Sequence, residues 1–304
     1  MVTNRIVLVF LALPAVLMAG CSDAPAKPSS TRAAAVTSVR PTGVGPSAVT
    51  TSPPATAPGA GGPATAPSAG RHLAGSSPIG SPPPLIAHGP RNRKQVALTF
   101  DADMTDAMAA NLRSGRVRSY ANLAVIDLLE HRKVPATFFV TGQWAEQYPT
   151  VMRRLASNPQ FEFANHSYEH AAFTGDCYGL PRVPPHAMTD DVAKTFTVLT
   201  PFGGRQTRYF RFPGLCHDGA AMAALAPLGV TVVDGDVVSG DPFATAAAPI
   251  VRAVLSQVQA GSIVIMHVTE ANARFTDEAL PPILDGLRER GLRPVTLSTL
   301  MGGT

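Results

Sequence analysis

The stretch Gln95-Val96-Ala97-Leu98-Thr99-Phe100-Asp101-Ala102-Asp103 decides how the rest of this 304-residue chain is read. Val96–Phe100 is a short apolar run of strand length, and it stops at two carboxylates. The same punctuation recurs downstream. Runs that read as strands are Ala136–Val140, Phe161–Ala164, Tyr209–Phe212, Val230–Val233, Ile263–Met266 and Pro294–Leu297. Helical stretches separate them. In Ala121–His131 the residues Leu123, Ile126 and Leu129 fall at helical spacing, and further helices are expected over Val151–Ser157, Thr189–Leu199, Gly219–Leu228, Ala247–Gln259 and Asp277–Arg290. Strict strand–helix alternation implies a parallel sheet. Seven such units imply an α/β fold, a distorted (β/α)7-8 barrel, over an open doubly wound sheet. No Gly-rich phosphate-binding turn follows the first strand, which argues against a dinucleotide-binding domain.

In a parallel barrel the functional face lies at the C-terminal ends of the strands. Polar residues gather at those ends. Asp101 and Asp103 follow the first strand, His166 and His170 the third, Asp236 and Asp241 the fifth and His267 the sixth, while Arg211 ends the fourth. In His166-Ser167-Tyr168-Glu169-His170 the histidines are four apart, so a helical reading puts both on one face, close enough to share a metal ion. Two histidines and one carboxylate leave a position open for water, as a catalytic metal site requires. Asp101 and Asp103 are at i and i+2 on an extended segment and point the same way. One can bind metal while the other acts as a base, and Ala102 can do neither.

The N-terminal part is of another kind. Residues 1–90 hold five basic residues and one acidic residue, which leaves twenty of each in 91–304. The net charge of +4 therefore belongs to the N-terminal part, and the rest offers no basic footprint for nucleic acid. Arg5 precedes an apolar run from Ile6 to Ala19, shorter than the roughly 20 residues that span a bilayer. Leu17-Met18-Ala19-Gly20-Cys21 resembles a bacterial lipobox, so residues 1–20 read as a lipoprotein signal peptide and Cys21 as the lipidated N-terminus. Residues 21–90, rich in Ala, Pro, Ser, Thr and Gly, read as a disordered tether, and 91–304 as the folded domain. With Cys21 lipidated, Cys177 and Cys216 remain as an even pair in an exported protein, which predicts one disulfide.

Taken together, residues 95–304 resemble the polysaccharide deacetylase family, the NodB-homology domain of carbohydrate esterase family 4. Thr99-Phe100-Asp101-Ala102-Asp103 is similar to its first motif, normally Thr-Phe-Asp-Asp-Gly. His166 to His170 matches the second, Arg211-Phe212-Pro213 the third, Asp236 to Asp241 lies where the fourth is expected, and Ile265-Met266-His267 is similar to the fifth. Ala136–Val140 with Trp144 also resembles the family's second strand.

The resemblance implies a barrel of the NodB deacetylase type and a role for each position. Asp101 is the general base, His166 and His170 bind metal, and Arg211 orients Asp101. His267 is the general acid and Asp241 raises its pKa. Pro213 and Phe212 are substrate contacts, and Asp236 is either a substrate contact, a support behind one, or simply an acid at a strand end. Two departures stand out: Ala102 replaces the family's metal-binding Asp, and Pro242 the Trp that walls the acetyl pocket. Asp103 is expected to take over metal ligation; the alternative is a site without its carboxylate. Phe243 or Phe212 are the residues at hand to replace the Trp.

The loop Met104–Ser119, with Arg113, Arg116 and Arg118, reads as a solvated loop beside the barrel mouth or as a contact to an anionic glycan. The implied protein is a monomer, lipid-anchored on the outer face of a bacterial cell membrane. It uses one divalent ion, zinc by default with cobalt or nickel suited too, to deacetylate a wall polysaccharide such as peptidoglycan. An O-acetyl esterase and a non-catalytic glycan-binding module are the rival readings.

Overall fold

The computed structural model describes residues 74–302. Cys21, the signal peptide and residues 21–73 of the expected tether lie outside the described residues. Strand β2 (Gln95–Ala102) shows how the layers form. Val96, Leu98, Phe100 and Ala102 face outward, into a core shared with Val125, Ile126, Leu129, Leu280 and Ile283. Ala97 faces inward, onto Phe139, Ile263, Leu297 and Leu300. Strand alternation then carries Asp101 to the inner face, at the strand's C-terminal end.

The other strands are β1 (Leu85–Ile86), β3 (Ala136–Val140), β4 (Phe161–Asn165), β5 (Gln206–Phe210), β6 (Thr231–Val233), β7 (Val237–Val238), β8 (Ile263–His267) and β9 (Arg293–Val295). They join in one sheet in the order β1-β6-β5-β4-β3-β2-β8-β7, with β9 against β2, and every pairing is parallel. The sheet curls into an open barrel. The helices are α1 (Asp106–Arg113), α2 (Leu123–His131), α3 (Gly142–Gln147), α4 (Pro149–Ser157), α5 (Met188–Leu199), α6 (Gly219–Ala224), α7 (Ala247–Gln257), α8 (Thr276–Glu289) and α9 (Leu297–Leu300).

The N-terminal end of the barrel is plugged by α9. Buried Glu162 accepts from Ser298 N at 2.8 Å and from Thr137 Oγ1 at 2.9 Å, and Thr137 Oγ1 accepts from Leu297 N at 2.9 Å. A carboxylate at a helix N-terminus satisfies donors that the helix itself leaves free. The seam lies between the edges β1 and β7, and Asp236 fastens it. Its carboxylate accepts from Arg91 at 2.8 Å, Ser262 Oγ at 3.0 Å and Ile263 N at 2.8 Å, at the start of β8.

Three expectations are corrected. The domain begins before residue 91: Ala74 O accepts from Arg208 N at 2.8 Å, Ser77 N donates to Gly229 O at 2.9 Å, and β1 extends the sheet beside β6. Sequence composition marks this segment as tether, but its backbone groups complete an otherwise open sheet edge. Met104–Ser119 is not a plain loop; Thr105 caps Met108 N at 3.1 Å and starts α1. The expected helix Gly219–Leu228 breaks at Leu225, and a 3-10 turn over Ala226–Leu228 accommodates Pro227.

Candidate active site

Six side chains converge where β2, β4, β5 and β8 end. Asp101 lies on β2 and Asp103 directly follows it, and the β2–β8 register sets Asp101 opposite His267. Arg211 follows β5 directly, its N–H donating to Asn165 O at 3.0 Å. The segment from His166 to His170 is not helical, which corrects the helical-face expectation. Ser167 and His170 sit at φ 69° and 54°, left-handed values that break a helix. Asn165 Oδ1 accepts from Ser167 N and Asp191 Oδ1 from Tyr168 N, both at 2.9 Å, and these bonds hold the turn. The turn delivers what the helix was invoked for: the two imidazoles lie 4.9 Å apart, centre to centre.

The donor atoms fit a cation. His166 Nδ1 donates to Arg211 O at 2.9 Å, which leaves the Nε2 lone pair facing inward. That atom lies 3.4 Å from Asp103 Oδ1, and His170 Nε2 lies 3.5 Å from the same oxygen. Asp103 Oδ1 is buried with no hydrogen-bond partner. Tetrahedral zinc ligands at ordinary bond lengths stand about 3.3 Å apart. Burial alone would raise the Asp103 pKa, but His170, His166 and His267 hold it well below the usual carboxylate range. Burial pulls His170 down to about 4, so its ring is neutral near pH 7 and free to bind metal. Ala102 points into the outer core at 0% exposure, and Asp103 is the carboxylate that the backbone groups with both histidines.

Two ion pairs flank the set. Arg211 NH1 donates to Asp101 Oδ1 at 2.6 Å, Arg211 Nε donates to Val233 O at 3.1 Å, and the guanidinium lies 3.9 Å over the Phe139 ring. Asp101 Oδ2 stays free, 3.6 Å from His166 Nε2. On the other side Asp241 Oδ1 accepts from His267 Nδ1 at 2.8 Å. Asp241 also accepts from His267 N at 2.8 Å, Thr276 Oγ1 at 2.6 Å and Ser239 Oγ at 2.7 Å. Burial would favour neutral imidazole, but the Asp241 carboxylate lifts the His267 pKa to about 10.

The six line or support the floor of a cavity of about 660 Å³ whose walls include Met108, Leu215, Ile265 and Asn272. The three candidate substrate contacts do not line it. Phe212 is fully buried against Phe173, Phe210 and His217. Pro213 is buried, and its neighbours Gly214 and Leu215 reach the cavity instead. Asp236 is at the seam, at the opposite end of β8 from His267. The expected Cys177–Cys216 disulfide is present, with Cα atoms 6.0 Å apart. Sequence reasoning missed Tyr178, Thr276 and Ser239. The hydroxyls carry no sequence signal, but Tyr178 adjoins a predicted disulfide between two site loops, which marked the segment. Phe243 does line the cavity.

The parallel open barrel thus sets a candidate metal site of Asp103, His166 and His170 between a carboxylate pinned by Arg211 and a histidine paired with Asp241. Residues 88–233 match the family model described as polysaccharide deacetylase. Over these residues the chain is similar to polysaccharide deacetylases, which are hydrolases acting on carbon–nitrogen, non-peptide bonds.

Among relatives, a peptidoglycan-N-acetylglucosamine deacetylase of Bacillus cereus is 28% identical over 214 residues, 70% of each chain. A family 4 acetyl xylan esterase from Clostridium thermocellum, solved with a cobalt ion, is 27% identical at TM-score 0.52, covering 68% of this chain and 89% of that one. A family 4 pseudoenzyme from Bacillus anthracis shares the fold at TM-score 0.57 and 20% identity, covering 72% of this chain and 69% of that one.

Proposed function

We propose that the protein is a metal-dependent N-deacetylase of an envelope polysaccharide, with N-acetylhexosamine of peptidoglycan as its substrate. The observation that carries this is the orphaned Asp103 Oδ1 facing His166 Nε2 and His170 Nε2 in a buried corner of the cavity. Asp103, His166 and His170 would hold one divalent ion, zinc or else cobalt or nickel, which supplies Lewis-acid polarisation of the acetyl carbonyl. Asp101, pinned through Oδ1 by Arg211, takes a proton from the attacking water on Oδ2. His267, charged at neutral pH by Asp241, gives a proton to the amine nitrogen as the C–N bond breaks and acetate leaves.

The fold alone supports catalytic and non-catalytic members; both proton-handling groups in place with their partners support the catalytic reading. The proposal extends to an exported monomer held at the outer face of the cell membrane by lipid on Cys21.

The test is acetate release from purified peptidoglycan by the zinc-loaded full chain. Release that a chelator and His170→Ala both abolish is the expected result. Release only from an O-acetylated glycan would favour the esterase reading, which the likeness to the acetyl xylan esterase supports. No release from any acetylated polymer would sink catalysis in favour of glycan binding.

A further inference from the structure

Two of the most exposed large side chains in the described residues sit together at the mouth of this cavity. Tyr178 is 73% exposed and Phe243 75%, while the catalytic floor is nearly closed. They come from separate loops, yet their ring centres lie 5.9 Å apart with a 34° tilt. Isolated exposed apolar residues need no explanation, but a pair converging on a catalytic opening does.

The backbone that carries each ring is anchored before any ligand arrives. Tyr178 follows disulfide-bonded Cys177, at φ 52°, in a turn closed by Leu180 N donating to Cys177 O at 2.9 Å. The other half of the disulfide, Cys216, adjoins Leu215, which lines the same cavity at φ 60°. Gly214 has no room for a side chain there: a Cβ would meet Cys177 Sγ at 2.6 Å. Phe243 closes the short turn Asp241–Phe243, its N–H donating to Gly240 O at 3.1 Å. The start of that turn is Asp241, held by Thr276, Ser239 and His267. Both rings are thus anchored to elements that also build the floor.

We infer that Tyr178 and Phe243 form a stacking platform for a pyranose next to the one being deacetylated, so that the site selects a glycan chain over a single sugar. The inference rests on the carbohydrate reading of the cavity. The face of an aromatic ring carries negative quadrupole density, and a pyranose presents a face of polarised C–H groups that complements it. Rings carried on anchored backbone bind at a reduced ordering cost. Position separates the roles: the buried floor takes the acetyl group and the exposed rim takes the neighbouring ring. Phe243 does not rebuild the wall that Pro242 lacks, because it stands at the rim in solvent.

The experiment compares Tyr178→Ala, Phe243→Ala and Phe243→Trp with the wild type as full chains. Two readouts are taken: acetate release from the β-1,4 tetramer of N-acetylglucosamine and from the monosaccharide, and calorimetric binding of the tetramer. The expected result is a fall of about tenfold in the tetramer-to-monosaccharide ratio of kcat/KM for each alanine variant, the loss of one ring's apolar burial, with recovery in Phe243→Trp. Equal losses on both substrates overturn the platform. If no acetate is released from either, tetramer binding decides. Binding weakened by alanine and restored by Trp upholds the platform while the deacetylase reading fails. Binding that is the same in every variant, or absent in all, overturns it.

Discussion

The carboxylates of Asp101 and Asp103 leave one strand end two residues apart and meet different partners. Asp101 meets a guanidinium that cannot give up its proton, while Asp103 meets two imidazole nitrogens and keeps one oxygen unpaired. Asp101→Asn is therefore expected to lower kcat by about 10²–10⁴-fold with metal retained, and Asp103→Ala to lose metal on dialysis. Metal analysis beside turnover checks both, and retained metal in Asp103→Ala overturns its assignment.

His267 supplies a pH prediction. As the proposed general acid it donates only while protonated, so activity is expected to fall as pH rises through its pKa, which Asp241 holds at about 10. Asp241→Asn removes the anion, lowers that pKa, and is expected to move the alkaline limb of kcat/KM down by at least about one unit. A limb that stays in place would assign the proton donor elsewhere. The chemistry-bearing residues were legible because strand ends expose them in motif order. Phe212 and Asp236 misled because a motif gives chain position and not direction: alternation past β5 turns Phe212 into the core, and the seam claims Asp236.

At the scale of elements, seven strands were readable because each carries an apolar run. β1 and β7 have two residues each, too few for any period to show. The His166–His170 turn was misread because its conformation depends on the side chains of Asn165 and Asp191, the second of them 21 residues beyond His170. The disulfide joins the loops after β4 and β5 across a separation of 39 residues. Replacing both cysteines with serine is expected to cost roughly 2–4 kcal/mol of stability. Because Tyr178 loses its anchor, the tetramer KM should also rise more than kcat falls. Denaturant unfolding and steady-state kinetics check these separately, and a KM equal to wild type would detach the rim from the crosslink.

At the scale of the molecule, composition drew the boundary of the domain too late. Pro- and Ser-rich sequence marks chain without its own core, but residues 74–90 borrow one by lying along β6, Gly229 and Gly261. A chain starting at 91 exposes the β6 edge and loses these bonds. Its Tm is expected to fall by about 5–10 °C against a chain starting at 74, measured by thermal unfolding. Equal Tm values would make the segment a passive passenger.

The pairing of Asp101 with His267 across β2 and β8 has a further consequence. Neighbouring strands stand about 4.8 Å apart whatever their sequence. On the proposed mechanism, the backbone separation of proton acceptor and proton donor is thus a lattice constant of the sheet, indifferent to loop drift. Variation in the loops that carry Tyr178 and Phe243 can change which glycan is admitted while the gauge of the reaction stays the same. Such a domain can diversify its diet without retuning its chemistry.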